Sequence, residues 1–192
     1  FKYEDRQVPV LLKGVSEDFR LMTDMNTLLI DGSFRLREDS VNYTTLGAGL
    51  AMSLGVRAGS IHPIEIYAPK RDVRVNFANP TAAFSRELVQ ISGVFILNQP
   101  EYDEQMAIIP IELARSLFRY HNEVTSLHVK LSPDASVRKV KSEIQRILGD
   151  NFRVENRFEQ QRESYRMLQI EKWVAFLILS LILLIAVFNI VG

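Results

Sequence analysis

The side chains that most often carry chemistry are present in this chain but are not arranged for it. Its histidines are His62, His121 and His128. His121 and Glu123 fall together in a segment that reads as a loop, and His128 falls on the polar side of an alternating stretch. Metal sites need tighter ligand pairs backed by carboxylates, so no metal site is assigned. Cysteine is absent, which removes disulfides, cysteine-based zinc or iron–sulfur sites and thiol nucleophiles. Glu101, Asp103 and Glu104 cluster around Tyr102, yet paired acid/base carboxylates come from separate elements across a cleft, and adjacent acids in a turn read as a solvated loop. No Gly-x-Ser-x-Gly elbow occurs. Gly47-Ala48-Gly49 carries the first two glycines of a dinucleotide loop, but Met52 stands at the third position and no buried strand is expected to lead into it, so the fingerprint fails. The expectation is a protein with no catalytic residues, no cofactor and no metal.

One segment has the composition of a contact site instead. Residues 69–83 read as a projecting hairpin in which Lys70, Arg71 and Arg74 lie near Phe77. Arg and aromatic anchors are enriched where binding energy concentrates. Arg71, Arg74 and Phe77 are therefore the candidate partner-binding residues, with a plain solvated hairpin as the alternative.

The chain that must position this hairpin has 192 residues, 23 basic and 23 acidic side chains and 47% hydrophobic residues, and its mean hydropathy is +0.01. That average joins two unlike parts. Trp173 to Gly192 is a run of 20 uncharged residues whose polar side chains are Ser180 and Asn189. As a helix it would span about 30 Å, the thickness of a bilayer core, with Trp173 suited to the headgroup level. All charge lies in the first 172 residues, which have the balance of a water-exposed domain with a core of its own. Zero net charge without a basic block excludes a nucleic-acid surface. The apolar run lies too far along the chain to be a signal peptide. A start at Phe1 and a stop at Gly192 suggest a piece of a longer protein.

Element signals fall into two outer parts and a middle. Val8–Leu12 opens an apolar strand reaching Val15, Ser16-Glu17-Asp18 starts a short helix near 16–25, and Leu28–Ile30 is a second strand closed by Asp31-Gly32. The same order returns with the alternating strand Leu127/Val129/Leu131. A helix follows, started by Ser132-Pro133, carrying Val137, Val140, Ile144, Ile147 and Leu148 on one face and ended by Gly149. A strand around Phe152 and Val154 completes the second unit. Two such strand-helix-strand units predict a split α+β module, residues 1–35 and 122–157, with helices on one face. The middle, 36–121, reads as an inserted mostly-β module. It holds a small-residue helix at 47–55 capped by Thr44 or Thr45 and strands over Ile61–Tyr67, Val73–Phe77, Leu88–Leu97 with a bulge near Gly93, and Met106–Ile109. A helix beginning at Pro110 closes it. Residues 158–172 are a charged stalk, with Phe158, Tyr165 and Leu168 on one stripe and Glu171 and Lys172 at its end. It has no Gly or Pro to interrupt it before the membrane helix 173–192. Its mixed charge leaves the helix unoriented by the positive-inside rule.

Particular strings carry a family resemblance. Gly47-Ala48-Gly49-Leu50-Ala51-Met52-Ser53-Leu54-Gly55-Val56-Arg57-Ala58-Gly59 resembles the G-x-x-L-A-x-x-L-G-x-x-x-G segment in the periplasmic domain of LolC/LolE-type lipoprotein-releasing and MacB-like ABC transporter permeases, of the FtsX-like superfamily. Ile91–Phe95 followed by Glu101-Tyr102-Asp103, then Ala107–Ala114, Leu127–Gly149, and Leu168-x-x-Glu171-Lys172 leading to Phe188-Asn189-Ile190-Val191, follow in that family's order. The resemblance covers about Leu11 to Gly192. It implies that the outer units are Porter-like and the inserted middle Sabre-like, that Trp173–Gly192 begins a second membrane span, and that residues 1–172 are periplasmic at a bacterial inner membrane. It also implies that ATP is hydrolysed by a separate cytoplasmic subunit or domain, so that this part relays motion rather than catalysing. A second permease subunit, as homo- or heterodimer, and a periplasmic lipoprotein carrier or lipoprotein substrate are the partners it implies, with the projection 69–83 in the place of the carrier-recruiting hairpin and Tyr165, Leu168, Glu171 and Lys172 in the coupling stalk. The alternative within the superfamily is a non-transporting scaffold or signalling module that regulates a cell-wall hydrolase or senses a ligand.

Overall fold

A computed structural model of the chain describes residues 1–71, 83–160 and 172–183. It forms two compact units, Phe1–His128 and Val129–Gly192. The first runs β1 (Lys2–Tyr3), β2 (Arg6–Gln7), β3 (Leu11–Val15), α1 (Phe19–Met22), a 3-10 turn at Met25–Thr27, β4 (Leu29–Gly32), β5 (Arg37–Glu38), β6 (Val41–Gly47), α2 (Ala48–Leu54), β7 (Ile64–Pro69), β8 (Phe84–Phe95), α3 (Pro100–Asp103), β9 (Met106–Pro110) and α4 (Ile111–Phe118). The architecture is mixed α/β. Its strands join one sheet in the order β2-β1-β7-β8-β6-β9-β3, with β4 added on β8 and β5 on β6. β3 runs parallel to β9 and β6 parallel to β8, while β7, β4 and β1 pair antiparallel with their neighbours.

The sheet is buried on both sides at its centre, and β9 shows why. Ala107 and Ile109 enter one core with Leu46, Leu50, Leu54, Ile64, Ile66, Val89, Leu113 and Leu117. Met106 and Ile108 enter a second with Val15, Met25, Phe34, Leu36 and Phe95. An apolar strand without alternation is the signature of a strand covered on both faces. In β8 the inward positions Val89 and Ile91 resume at Val94 in the same core, because Ser92 is an extra residue: Thr44 pairs with Ile91 while Thr45 pairs with Gly93. The bulge expected near Gly93 is present, one residue earlier.

Several local expectations are corrected. Thr44 and Thr45 do not cap α2. They lie buried in β6, where Thr44 Oγ1 donates to the Ile108 carbonyl at 3.1 Å, and the N-cap is Gly47 without a side-chain bond. A buried strand does lead into Gly47-Ala48-Gly49. The glycines serve packing nonetheless: a Cβ on Gly47 would sit 2.4 Å from the Asp103 carbonyl oxygen, and one on Gly49 2.9 Å from Glu104 Cγ. The first helix is a single turn, Phe19–Met22, and the strand expected from Ile61 begins at Ile64, just past Pro63.

The second unit contains α5 (Val137–Leu148) and α6 (Arg157–Gln160), and residues 172–183 are helical. α5 begins four residues after Pro133, with Ser136 at its N-cap, and Gly149 ends it at φ 71°. Residues 127–131 form no strand, and Leu127 is 82% exposed. Alternation supplies faces, but a strand also needs a ladder partner for its backbone, and no strand among the described residues pairs with this segment. Residues 152–155 are likewise not a strand. Their backbone is taken by Gln145, whose amide donates to the Gly149 and Phe152 carbonyls, both at 2.8 Å, and whose oxygen accepts from Val154 N–H at 3.2 Å. α6 starts on a reciprocal capping box: Asn156 Oδ1 accepts from Glu159 N–H and Glu159 Oε2 from Asn156 N–H. Among the described residues no helix is long and apolar enough to cross a membrane. The expected span 173–192 lies outside the described residues over 184–192, as do most of the expected stalk and its residues Tyr165, Leu168 and Glu171. Lys172 is exposed at the start of the 172–183 helix.

Candidate partner-binding hairpin

β7 and β8 form an antiparallel arm whose strand ends flank the hairpin anticipated over 69–83, of which residues 72–82 lie outside the described residues. Ile64 pairs with Val89, Tyr67 with Arg86 and Pro69 with Phe84, and Lys70 N–H donates to the Ala83 carbonyl at 2.8 Å. Strand geometry sends alternate residues to opposite faces. Ile64, Ile66, Ala68 and Val89 are buried in the core, which leaves Glu65, Tyr67, Pro69, Phe84, Arg86 and Leu88 on the other face. Of these Tyr67, Phe84 and Leu88 are exposed large hydrophobics.

Three polar groups on this face are joined across the strands. The Tyr67 hydroxyl donates to Glu65 Oε2 at 2.5 Å, and Arg86 Nη2 donates to Glu65 Oε1 at 2.7 Å. The Tyr67 hydrogen bond, then that of Arg86, holds the Glu65 carboxyl below its ordinary range. The same bonds push the Tyr67 phenol and the Arg86 guanidinium up. The result is a rigid polar centre flanked by Phe84 and Leu88, a composition suited to docking a protein surface. It offers no nucleophile and no open carboxylate pair.

Arg71, one of the expected anchors, is exposed. Its guanidinium lies over the Tyr120 ring, 5.1 Å from the centroid, in the segment just after α4. Arg74 and Phe77 lie outside the described residues. The Glu65–Tyr67–Arg86 cluster went unseen in the sequence. Glu65 and Tyr67 at i, i+2 were its local half, but Arg86 joins them only through the β7–β8 register.

The histidines are not gathered. His121 N–H donates to Glu123 Oε2 at 2.7 Å, and the Glu123 carboxyl is held low by backbone hydrogen bonds from its own amide and from His121. His128 Nε2 lies 3.4 Å from Ser126 Oγ. Asp103 alone of the acidic cluster is buried, and it accepts from Leu97 N–H at 2.7 Å and Gln99 N–H at 3.0 Å, which makes it a loop clamp. Among the described residues no group of three or more His, Asp or Glu is placed to hold a metal ion.

No family model matches the chain. It is 28% identical over 149 residues to the lipoprotein-releasing system transmembrane protein LolC of Neisseria meningitidis serogroup B, covering 77% of this chain and 34% of that protein. It is 26% identical over 148 residues to the lipoprotein-releasing system transmembrane protein LolE of Haemophilus influenzae, with the same coverages. Over most of its length the chain is similar to LolC/LolE-type proteins. It spans about a third of the length of these relatives, 34% in each case. The LolC/LolE-type match takes in most of the first unit at the least, since 149 residues cannot fit within the second.

Proposed function

We propose that this chain is the periplasmic part of an inner-membrane ABC transporter permease subunit for lipoprotein release, and that it relays ATP-driven motion instead of catalysing a reaction. The observation that carries the reading is the match to LolC and LolE across 77% of the chain. On this reading ATP is hydrolysed by a separate cytoplasmic subunit or domain, a second permease subunit completes the assembly, and no cofactor is needed. Residues 1–172 face the periplasm, and Trp173–Gly192 enters the membrane as a helix. Residues 158–172, with Tyr165, Leu168, Glu171 and Lys172, are the stalk that transmits motion. The division into a split Porter-like module, 1–35 and 122–157, and an inserted Sabre-like module, 36–121, belongs to the same proposal.

The β7–β8 arm is the part we assign to recruiting a periplasmic lipoprotein carrier or lipoprotein. Its inner face is fixed in the core, so its outer face and tip can meet a partner without reorganising the sheet, which keeps the ordering cost of binding low. Arg74 and Phe77 are proposed at the tip. The test is a pull-down from membranes with the intact protein and its Arg74→Ala and Phe77→Ala variants. Lipoproteins or their carrier should be captured by the unaltered protein and depleted by at least roughly tenfold with Phe77→Ala, the loss of one anchor residue. Capture of cell-wall hydrolases in their place would overturn the transport reading in favour of a regulatory scaffold.

A further inference from the structure

The β7–β8 arm is tied, just past the end of β7, to the segment by which the chain leaves the first unit. Arg71 lies immediately beyond β7, and its guanidinium covers the Tyr120 ring at 5.1 Å. Tyr120 is also against Phe118 of α4, with ring centroids 6.4 Å apart. The backbone around it is held closely. Arg119 takes a left-handed conformation at φ 56°, Tyr120 N–H donates to the Arg115 carbonyl at 2.9 Å, and Arg115 Nη2 donates to the Asn122 carbonyl at 3.4 Å. Glu123 receives the His121 amide at 2.7 Å, and its carboxylate also feels the positive charge of Arg71. From there the chain runs through exposed residues 121–130 into the second unit, which begins at Val129. Arg71 is thus the point where the arm and the connector share one contact.

We propose that Arg71, stacked on Tyr120, is a latch that positions the connector 119–123 against the outer end of β7 in the β7–β8 arm, so that displacing the arm loosens the connector. Both ends are built for this. A guanidinium on an aromatic face keeps its attraction through small rotations, because it needs the ring plane and no fixed hydrogen-bond angle. Beyond those local hydrogen bonds the connector has little burial to hold it: residues 121–130 are all exposed. An element with few buried contacts opens locally at low free energy, so one added contact changes its population measurably. By reciprocity, whatever the arm's displacement does to the connector, displacement of the connector does to the arm. The latch is independent of what the arm binds, and its failure would leave the proposed function standing.

Amide hydrogen exchange in the intact protein tests it, read on peptides covering 115–123 and, as a control, 106–110. Arg71→Ala and Tyr120→Leu should each speed exchange at 119–123 by roughly two- to fivefold, the worth of an exposed cation–π contact. Tyr120→Phe, which keeps the ring, should leave exchange at the unaltered rate. Arg71→Ala and Tyr120→Leu combined should speed exchange by clearly less than the product of their single effects, since both remove the Arg71–Tyr120 contact. Unchanged exchange in Arg71→Ala, or additive effects in the double variant, overturns the latch. Faster exchange at 106–110 in Tyr120→Leu would show general destabilisation, and the comparison then rests on Arg71→Ala and Tyr120→Phe, where a Tyr120→Phe rate matching Arg71→Ala also overturns it.

Discussion

Glu65 is the side chain on which the polar face of the arm turns, because it alone accepts from both strands. Its carboxyl is held below the ordinary range chiefly by the Tyr67 hydroxyl and next by Arg86. A carboxyl whose folded value is depressed stabilises the fold above its unfolded pKa of about 4.3, and that contribution is lost as pH falls through the lower folded value. Tyr67→Phe removes the largest cause and brings the folded value back toward normal. Denaturation midpoints of the unaltered protein and Tyr67→Phe should therefore differ at neutral pH and converge as the pH is taken below about 4. A gap that stays constant through the acid range would mean that the Tyr67 hydroxyl does not act through the Glu65 charge. The cluster was half legible in the sequence. Glu65 and Tyr67 share a strand face by alternation, whereas Arg86 stands 21 residues away and its place depends on a register that only the paired strands define. Arg71 was legible as a cation beside β7, but the ring it covers is that of Tyr120, a partner too far along the chain for spacing to reveal.

Among the elements, those with a strong period were read with the right type: α4 and α5 from their apolar faces, β8 from its long apolar run, β9 from its unbroken one. Pairs of residues such as β1, β2 and β5 are too short to show a period. Residues 127–131 show a strand's period, yet no strand among the described residues pairs with them. β8 is the element on which most others depend, since β7, β6 and β4 all pair with it, and its bulge lets a single strand serve neighbours in two registers. Ser92 holds that bulge from within. Its hydroxyl lies 3.1 Å from Thr45 Oγ1 and can donate to the Arg35 carbonyl at 3.1 Å or the Thr44 carbonyl at 3.2 Å, all without water, as Ser92, Thr44 and Thr45 are buried. Ser92→Ala leaves Thr45 Oγ1 without its partner and should cost about 1–3 kcal/mol. Adding Thr45→Val should cost less than the sum of the two single changes, because a lost pair is less expensive than an orphaned partner. Denaturant midpoints at constant m-value would measure both, and strict additivity would remove the hydroxyl pair from the account of the bulge.

At the scale of the whole molecule, a mean hydropathy of +0.01 conceals an uneven chain. Among the described residues the buried side chains all lie in the first unit, from Phe1 to Leu117, whereas neither α5 nor α6 buries one. Stability should therefore reside in Phe1–His128, with the exposed segment 121–130 carrying little of it. Chain cleavage at an exposed segment without ladder bonds removes no native contact and costs mainly the order of a few residues. A protease recognition site inserted between Thr125 and Ser126, which is past the Tyr120 contact, provides the measurement. After cutting, exchange protection in β6, β8 and β9 should persist, and the unfolding midpoint of the first unit should correspond to a change within about 0.5 kcal/mol, the usual range for surface alterations. Loss of that protection on cutting would mean that the first unit draws its stability from the residues beyond His128, and that the sheet does not hold its fold by its own core.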